Sequence, residues 1–227
     1  MSPAPLSRRT SREHGVGATR TLLVPVGSCE QHGPHLPLST DSVIAEALCA
    51  MVATRRDVDV APTLGYSASG EHAGFPGLLS LGTEVTASVL VELIRSARAS
   101  WRRVVIVSAH GGNVDALRRV AEVARRDGDA VVIWMASEPD GDAHAGLSET
   151  SIMLHIDPAL VRATALEPGD DLDSHWMTRA REGGIAAVSA NGVLGDPRGA
   201  TSQLGSSIME RWCAEVVAMI DEAWSQQ

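Results

Sequence analysis

The sequence contains no lysine: all 19 of its basic side chains are arginines. That absence excludes a P-loop lysine, a Schiff-base lysine and a lysine general base. Aromatic residues are scarce, with five Trp, one Tyr and one Phe in 227 residues, and the formal net charge is −9. A chain with neither a cationic track for phosphates nor platforms for stacking bases is not built to bind nucleic acid. The three cysteines, Cys29, Cys49 and Cys213, are odd in number, far apart and outside any CxxC spacing. They read as free thiols in a reducing cytoplasm. No apolar run approaches the roughly 18 residues of a membrane span. Residues 1–20 are Arg- and Ser-rich without an apolar stretch, so they read as a flexible tail and not as a secretory signal.

Residues 21–227 are expected to form one domain, with 44% hydrophobic and 21% charged residues in the whole chain. Short apolar runs alternate with longer segments of helical spacing. Strands are predicted at 21–26, 58–64 (disturbed by Pro62), 78–81, 104–107 and 130–135. Helices are predicted at 41–56, with Ile44, Ala47, Leu48 and Met51 on one face, and at 83–100, with Val89, Leu90, Leu93 and Ile94 as its buried stripe. Further helices are predicted at 114–126 with Gly128 as its C-cap, around 152–155, and at 201–224, the stretch to about 173 being irregular. The alternation implies an α/β fold, a mainly parallel sheet flanked by helices on both faces. Ligands in such folds bind at the carboxyl ends of the strands.

Three motifs fall at those ends. The first, Gly27-Ser28-Cys29-Glu30-Gln31-His32-Gly33-Pro34-His35, follows the first strand and runs on to Asp41. Glu30 and His32, two apart in an extended segment, point the same way. Asp41 opens a helix, where the dipole favours a carboxylate. The second, Ser108-Ala109-His110-Gly111-Gly112-Asn113, follows the 104–107 strand. Its glycines permit a tight turn, and Asn113 is placed to cap the next helix. The third, from Asp142 to Ser151, brings His144 and Glu149 to the same edge after the 130–135 strand.

A lone histidine after a strand is ordinarily a hydrogen-bonded turn residue, and Gly111-Gly112 alone is only a turn. Glu149 alone would serve as a helix N-terminal charge. Glu71-His72 reads equally as a substrate-facing loop or a polar surface turn. Cys29 and His35 read as packing or supporting residues, and His14, His155 and His175 as surface or structural ones. The functional reading rests on Glu30, His32, Asp41, His110, His144 and Glu149 mapping to one rim. Imidazoles and carboxylates without a thiolate suit Zn²⁺, Fe²⁺ or Mn²⁺. Two such ions roughly 3.5–4 Å apart can acidify a bridging water and polarise an amide carbonyl, with one Asp bridging them.

At these residues the sequence resembles the creatininase family: a Glu-Gln-His-Gly block (Glu30 to Gly33), Asp41 eleven residues after the Glu, and a later His-Gly-Gly-Asn block (His110 to Asn113). The resemblance runs from about residue 22 to 205. It implies the family's three-layer fold, two divalent metal ions and commonly a homo-oligomer. It further implies that Glu30 and His110 bind one metal and His32 the other, with Asp41 bridging and His144 shuttling protons. Three segments are most similar to a peptidase subgroup: Tyr66 to His72, Asp142 to Ser151, and Gly192-Val193-Leu194-Gly195-Asp196-Pro197. That likeness implies removal of a C-terminal Val-Tyr-derived dipeptide from a modified ribosomal precursor peptide by a metal-bridged hydroxide. Iron is the metal implied, alone or beside zinc. Glu71, His72, Gly111, Gly112 and Asn113 are the expected substrate-binding residues.

The chain departs from creatininase itself at two positions. Gly112 stands where that enzyme has a metal-binding Glu, which leaves one ion short unless Glu149 replaces it. Asp140 stands where it has a substrate-stacking Trp, which argues against creatinine as substrate. One alternative is a relative acting on a small cyclic amide or a formamide. Another is a non-catalytic metal-binding scaffold, which predicts a coordinatively closed site. A nucleotide-binding module is weaker, because no GxGxxG or P-loop follows a strand.

Overall fold

Strand β1 (Thr21–Val26) is buried along its whole length, and in the computed structural model it lies between two neighbours. The structure describes residues 6–13, 21–138 and 141–225. The strands β2 (Val58–Val60), β3 (Arg103–Ser108) and β4 (Val131–Met135) complete a parallel sheet of order β2-β1-β3-β4. The register pairs Thr21 with Val58 and Arg103, and Val104 with Val131.

Alternation along the strands sorts the core into two layers. Leu23, Val105, Val107 and Trp134 face one side, where α1 (Thr40–Arg55), α4 (Leu147–Ile156) and α6 (Ser202–Trp224) supply Ile44, Leu48, Val52, Ile152, Met209 and Val216. Leu22, Val24, Val26, Val104 and Ile106 face the other side, against Leu90 and Ile94 of α2 (Gly82–Ala97) and Leu117 and Val120 of α3 (Val114–Asp127). This is the expected α/β architecture, with a parallel sheet between helical layers.

Several expectations are corrected in detail. The second strand stops at Val60, because Pro62 has no N–H to give; pairing resumes only as an isolated bridge between Val26 and Leu64. Residues 78–81 form no strand. They run between Gly77 and Gly82, both at positive φ, and the Leu79 and Leu81 amides bond to the carbonyls of Cys29 and Ser67 in loops, not to a strand edge. The buried stripe of α2 is Ala87, Leu90, Ile94 and Ala97, which turns Leu93 outward at 44% exposure. A helix not foreseen, α5 (Trp176–Gly183), packs Trp176 and Ala180 with Ile185, Val188, Leu194 and Phe75 in a small satellite core.

Part of the stretch read as a tail contacts the domain. Leu6 packs against the α2–α3 side, and Arg9 Nη1 lies 2.7 Å from the buried Asp59 Oδ1. His14 and the other residues of that stretch at 1–5 and 15–20 lie outside the described residues. No helix among the described residues is long and apolar enough to cross a membrane.

Candidate active site

From β1 the chain goes outward to β2, then crosses back to lay β3 on the other side of β1. At such a switch the loops leaving the two neighbouring strands open a crevice, the usual ligand site of an open α/β sheet. Glu30 and His32 lie in the loop after β1, His110 directly follows β3, and Asp41 sits in the first turn of α1. The structure brings all four together at this switch.

Glu30 is fully buried, and among the described residues neither of its carboxylate oxygens has a hydrogen-bond partner. An uncompensated buried carboxylate costs several kcal/mol, on the order of an ion's desolvation penalty, so a positive charge is required beside it. His110 Nδ1 lies 3.3 Å from Glu30 Oε1 and 3.2 Å from Asp41 Oδ2. His32 Nε2 lies 3.2 Å from the other oxygen, Asp41 Oδ1. The two oxygens of Asp41 thus face two different imidazoles, the disposition of a bridging carboxylate. Donors about 2.1 Å from one tetrahedral ion stand roughly 3.4 Å from each other, and these spacings agree.

The far nitrogens are also occupied. His32 Nδ1 is 3.2 Å from the Glu30 carbonyl and His110 Nε2 is 2.9 Å from the Ala68 carbonyl, so each donates its N–H to a backbone oxygen. That leaves His32 Nε2 and His110 Nδ1 on the side of the carboxylates, where each would offer a lone pair to an ion once its proton is displaced, the arrangement by which proteins fix a metal-binding imidazole. Ser28 Oγ donates to Asp41 Oδ2 at 2.7 Å.

The third motif joins the cluster from α4, on the same face of the sheet as α1. The Asp142 carboxylate accepts the Leu147 and Ser148 amides and so fixes the start of α4. Glu149, in that first turn, accepts the Ala145 amide at 2.6 Å. Its Oε2 stands 4.0 Å from both His32 Nε2 and His144 Nδ1. Among the described residues four trios have donor atoms close enough for one ion: Glu30–His32–Asp41, His32–His144–Glu149, Glu30–Glu71–His110 and Glu30–His72–His144.

Charge follows the geometry. Burial alone would depress His32, but Asp41, Glu149 and Glu30 carry its pKa up to about 9. Burial likewise opposes the charge on His110, yet Glu30 and Asp41 hold its pKa well above the ordinary value. Asp41, despite its burial, is held well below the carboxylate range by His32 and His110. Burial pushes Glu149 up to about 7, with His32 opposing. Burial and the charge on His32 lower His144 to about 4, and burial, His144 and His110 lower His72 further. Protons on His32 and His110 offset the carboxylates here; divalent cations would replace those protons, so the donor set fits metal ions.

Other expected residues fall differently. His72 is buried, with Nε2 3.1 Å from Glu30 Oε1. Asn113 caps nothing with its side chain; it accepts the Ala68 amide and donates to Ser108 Oγ, tying the loop at Ala68 to β3. Gly111 is open, whereas a Cβ on Gly112 would lie 1.9 Å from Glu71 Oε1. The Glu71 carboxylate, 3.4 Å from His110 Nε2, therefore fills the space beside Gly112. His35 is buried and bonded to Thr150 Oγ1 at 2.8 Å, and His155 and His175 are exposed. Asp140 lies outside the described residues. His72 was expected to bind substrate and stands here beside Glu30, and Gln31, whose amide touches His72 and His144, had no assigned role. Gln31 was visible only as the middle of the first block.

The family model for creatinine amidohydrolase matches residues 6–220. The chain is 46% identical over 224 residues to the mycofactocin precursor peptide peptidase of Mycolicibacterium smegmatis, covering 94% of this chain and 90% of that protein. It is 42% identical over 213 residues to the protein of the same description from Mycobacterium tuberculosis, covering 89% and 82%. In fold it superposes on the crystal structure of a creatinine amidohydrolase with a TM-score of 0.79 at 24% identity, covering 96% of each chain. With the Glu30, Asp41 and His110 cluster in place, these matches make the chain a member of the creatininase family.

Proposed function

We propose that this protein is a metal-dependent peptidase that releases the C-terminal Val-Tyr-derived dipeptide from the modified mycofactocin precursor peptide in the cytoplasm. One observation carries the reading: a buried Glu30 whose oxygens form no hydrogen bond and face His110, in a chain 46% identical to a peptidase of that name. Glu30, His110 and Asp41 would hold one divalent ion, and His32, Asp41 and Glu149 the other. Glu149 thereby supplies the carboxylate that position 112 lacks. Nitrogen and oxygen donors without thiolate suit iron, zinc or a mixed pair, with manganese as the third candidate. When bound, such ions acidify a water and polarise the scissile carbonyl.

The chain's own part is positioning and proton handling. His144 Nδ1 faces Glu149 Oε2 at 4.0 Å and Glu30 Oε1 at 3.9 Å. Held neutral, it can take up the proton shed on attack and deliver it to the departing amine. Glu149 stands beside both His32 and His144 and so joins the two tasks. A cavity of about 230 Å³, walled by Ile44, Ala109 and Trp212, opens between Gly111 and Glu149. A peptide side chain would lodge there, with its main chain along Gly111 and Gly112 and its outer part against Glu71; Asn113 holds that wall from behind. The exposed Leu79, Val85 and Leu93 offer apolar surface for a homo-oligomer.

The deciding experiment incubates zinc- or iron-loaded protein with the modified precursor peptide and follows its mass. Loss of the C-terminal dipeptide, abolished by chelator and restored by metal, is expected, with creatinine and formamide substrates untouched. An intact peptide beside a metal-replete protein overturns the reading, and turnover of creatinine or a formamide favours the small-amide alternative.

A further inference from the structure

One buried carboxamide touches the imidazoles of both His72 and His144, and its own bonds fix which way it points. Gln31 Oε1 accepts the Gly33 amide at 2.8 Å, and Nε2 donates to the Gly192 carbonyl at 3.0 Å. Its second N–H has two imidazole nitrogens within reach, His72 Nδ1 at 2.9 Å and His144 Nε2 at 3.1 Å. His144 Nε2 also lies 2.8 Å from the Gln31 backbone carbonyl, which can only accept. His144 therefore carries its proton on Nε2 and has no lone pair there to receive one. The remaining Gln31 N–H goes to His72 Nδ1. A ring nitrogen that accepts an N–H has a lone pair there, and the ring's one proton is then on the other nitrogen, so the His72 proton is on Nε2, 3.1 Å from Glu30 Oε1. The free lone pair of His144 is on Nδ1, facing Glu30 and Glu149.

We propose that Gln31 is a positioning residue that sets the tautomers of both histidines, aiming a lone pair of His144 and an N–H of His72 at the Glu30 side of the site. The role given to His144 in turnover rests on the peptidase reading; the tautomers do not. A consequence concerns stoichiometry. Glu30, His72 and His144 have the spacing of a metal trio, but His72 presents a proton where a ligand needs a lone pair, so this trio takes no third ion. Gly192 belongs to the same device: at φ +82, a Cβ there would stand 2.0 Å from Gln31 Oε1.

The test reads the protons directly. In zinc-loaded protein labelled with ¹⁵N-histidine, long-range ¹H–¹⁵N spectra should show Nε2–H for both His72 and His144, with at most two zinc ions per chain. Gln31→Glu puts an acceptor where the donor was and should move the His72 proton to Nδ1. The variant's kcat should fall by on the order of 10- to 100-fold, with KM within about twofold. Nδ1–H on His72 in the unaltered protein, a third bound ion, or an unchanged His72 spectrum in Gln31→Glu overturns the proposal. Should Gln31→Glu fail to fold, the unaltered protein's spectrum still decides it. Absence of peptide cleavage alongside the expected tautomers counts against the peptidase reading and leaves this assignment standing.

Discussion

Single atoms separate the metal-holding role from the proton-handling one. His144 is tied by Nε2 to the Gln31 carbonyl and is not needed to complete either proposed ion's carboxylate–imidazole set. His144→Ala should therefore keep both metals, as read by elemental analysis, while turnover falls by about 10²- to 10⁴-fold; cleavage at the unaltered rate removes the proton-shuttle role. Gly112 gives a sharper steric contrast. An added Cβ would stand 2.4 Å from His110 Nε2 and 2.6 Å from the Ala68 carbonyl, while one on Gly111 meets nothing within 4 Å. Gly112→Ala should push His110 off its carbonyl anchor and lower metal content, and Gly111→Ala should leave it unchanged. Equal metal content in the two variants would show that the contact is relieved without moving His110. Glu30, His32, Asp41 and His110 could be nominated from the sequence because blocks after strands carry chemistry in an α/β fold. The placement of His72 beside Glu30 could not, because Ser69-Gly70-Glu71-His72 reads equally as a substrate-facing loop or a polar turn until the Asn113 side chain is seen to hold the Ala68 amide.

Elements carry these atoms to one place, and their fit is tightest where α6 crosses α4. A Cβ on Gly205 would lie 1.9 Å from the Ser151 carbonyl, so the helices touch backbone to backbone just beyond Glu149 on α4. Gly205→Val should cost about 1–3 kcal/mol by overpacking. Because α4 positions Glu149, the variant should also bind the ion near His32 more weakly; a thermal melt and a zinc titration measure the two effects. A lower melting temperature with unchanged zinc affinity would mean that α4 shifts as a body without disturbing the site. At this scale the buried strands and long helices were legible, because period-2 and period-3.6 patterns each fill a core layer. The misses have different causes. The end of the second strand, the 78–81 stretch and α5 are governed by proline, by positive-φ glycines and by a satellite core joining Phe75 to Leu194, contacts distant in sequence that leave little local periodicity.

For the molecule as a whole, fold and site share a conflict that the donor cluster creates. Four carboxylates, of Glu30, Asp41, Glu71 and Glu149, and four imidazoles, of His32, His72, His110 and His144, converge where α1, α4 and the ends of β1 and β3 meet, and Glu30 is left without a hydrogen bond. Hydrophobic packing on both faces of the sheet must carry that local strain when no cation is present. Any ion that binds the folded chain and not the unfolded one stabilises by RT ln(1 + [L]/Kd), about 2.7 kcal/mol at a hundredfold excess over Kd. For a chain of this length each kcal/mol moves the melting temperature by roughly 2–4 °C. Chelation should therefore lower the melting temperature by about 5–10 °C, and added zinc or ferrous iron should restore it. Glu30→Gln removes the buried charge along with the ligand, so its metal-free form should melt at or above the metal-free native protein, and added metal should raise it less. A native protein whose melting point ignores chelator, in a preparation shown beforehand to contain metal, would mean that the cluster is relieved by protons alone and that the ions contribute nothing to the fold.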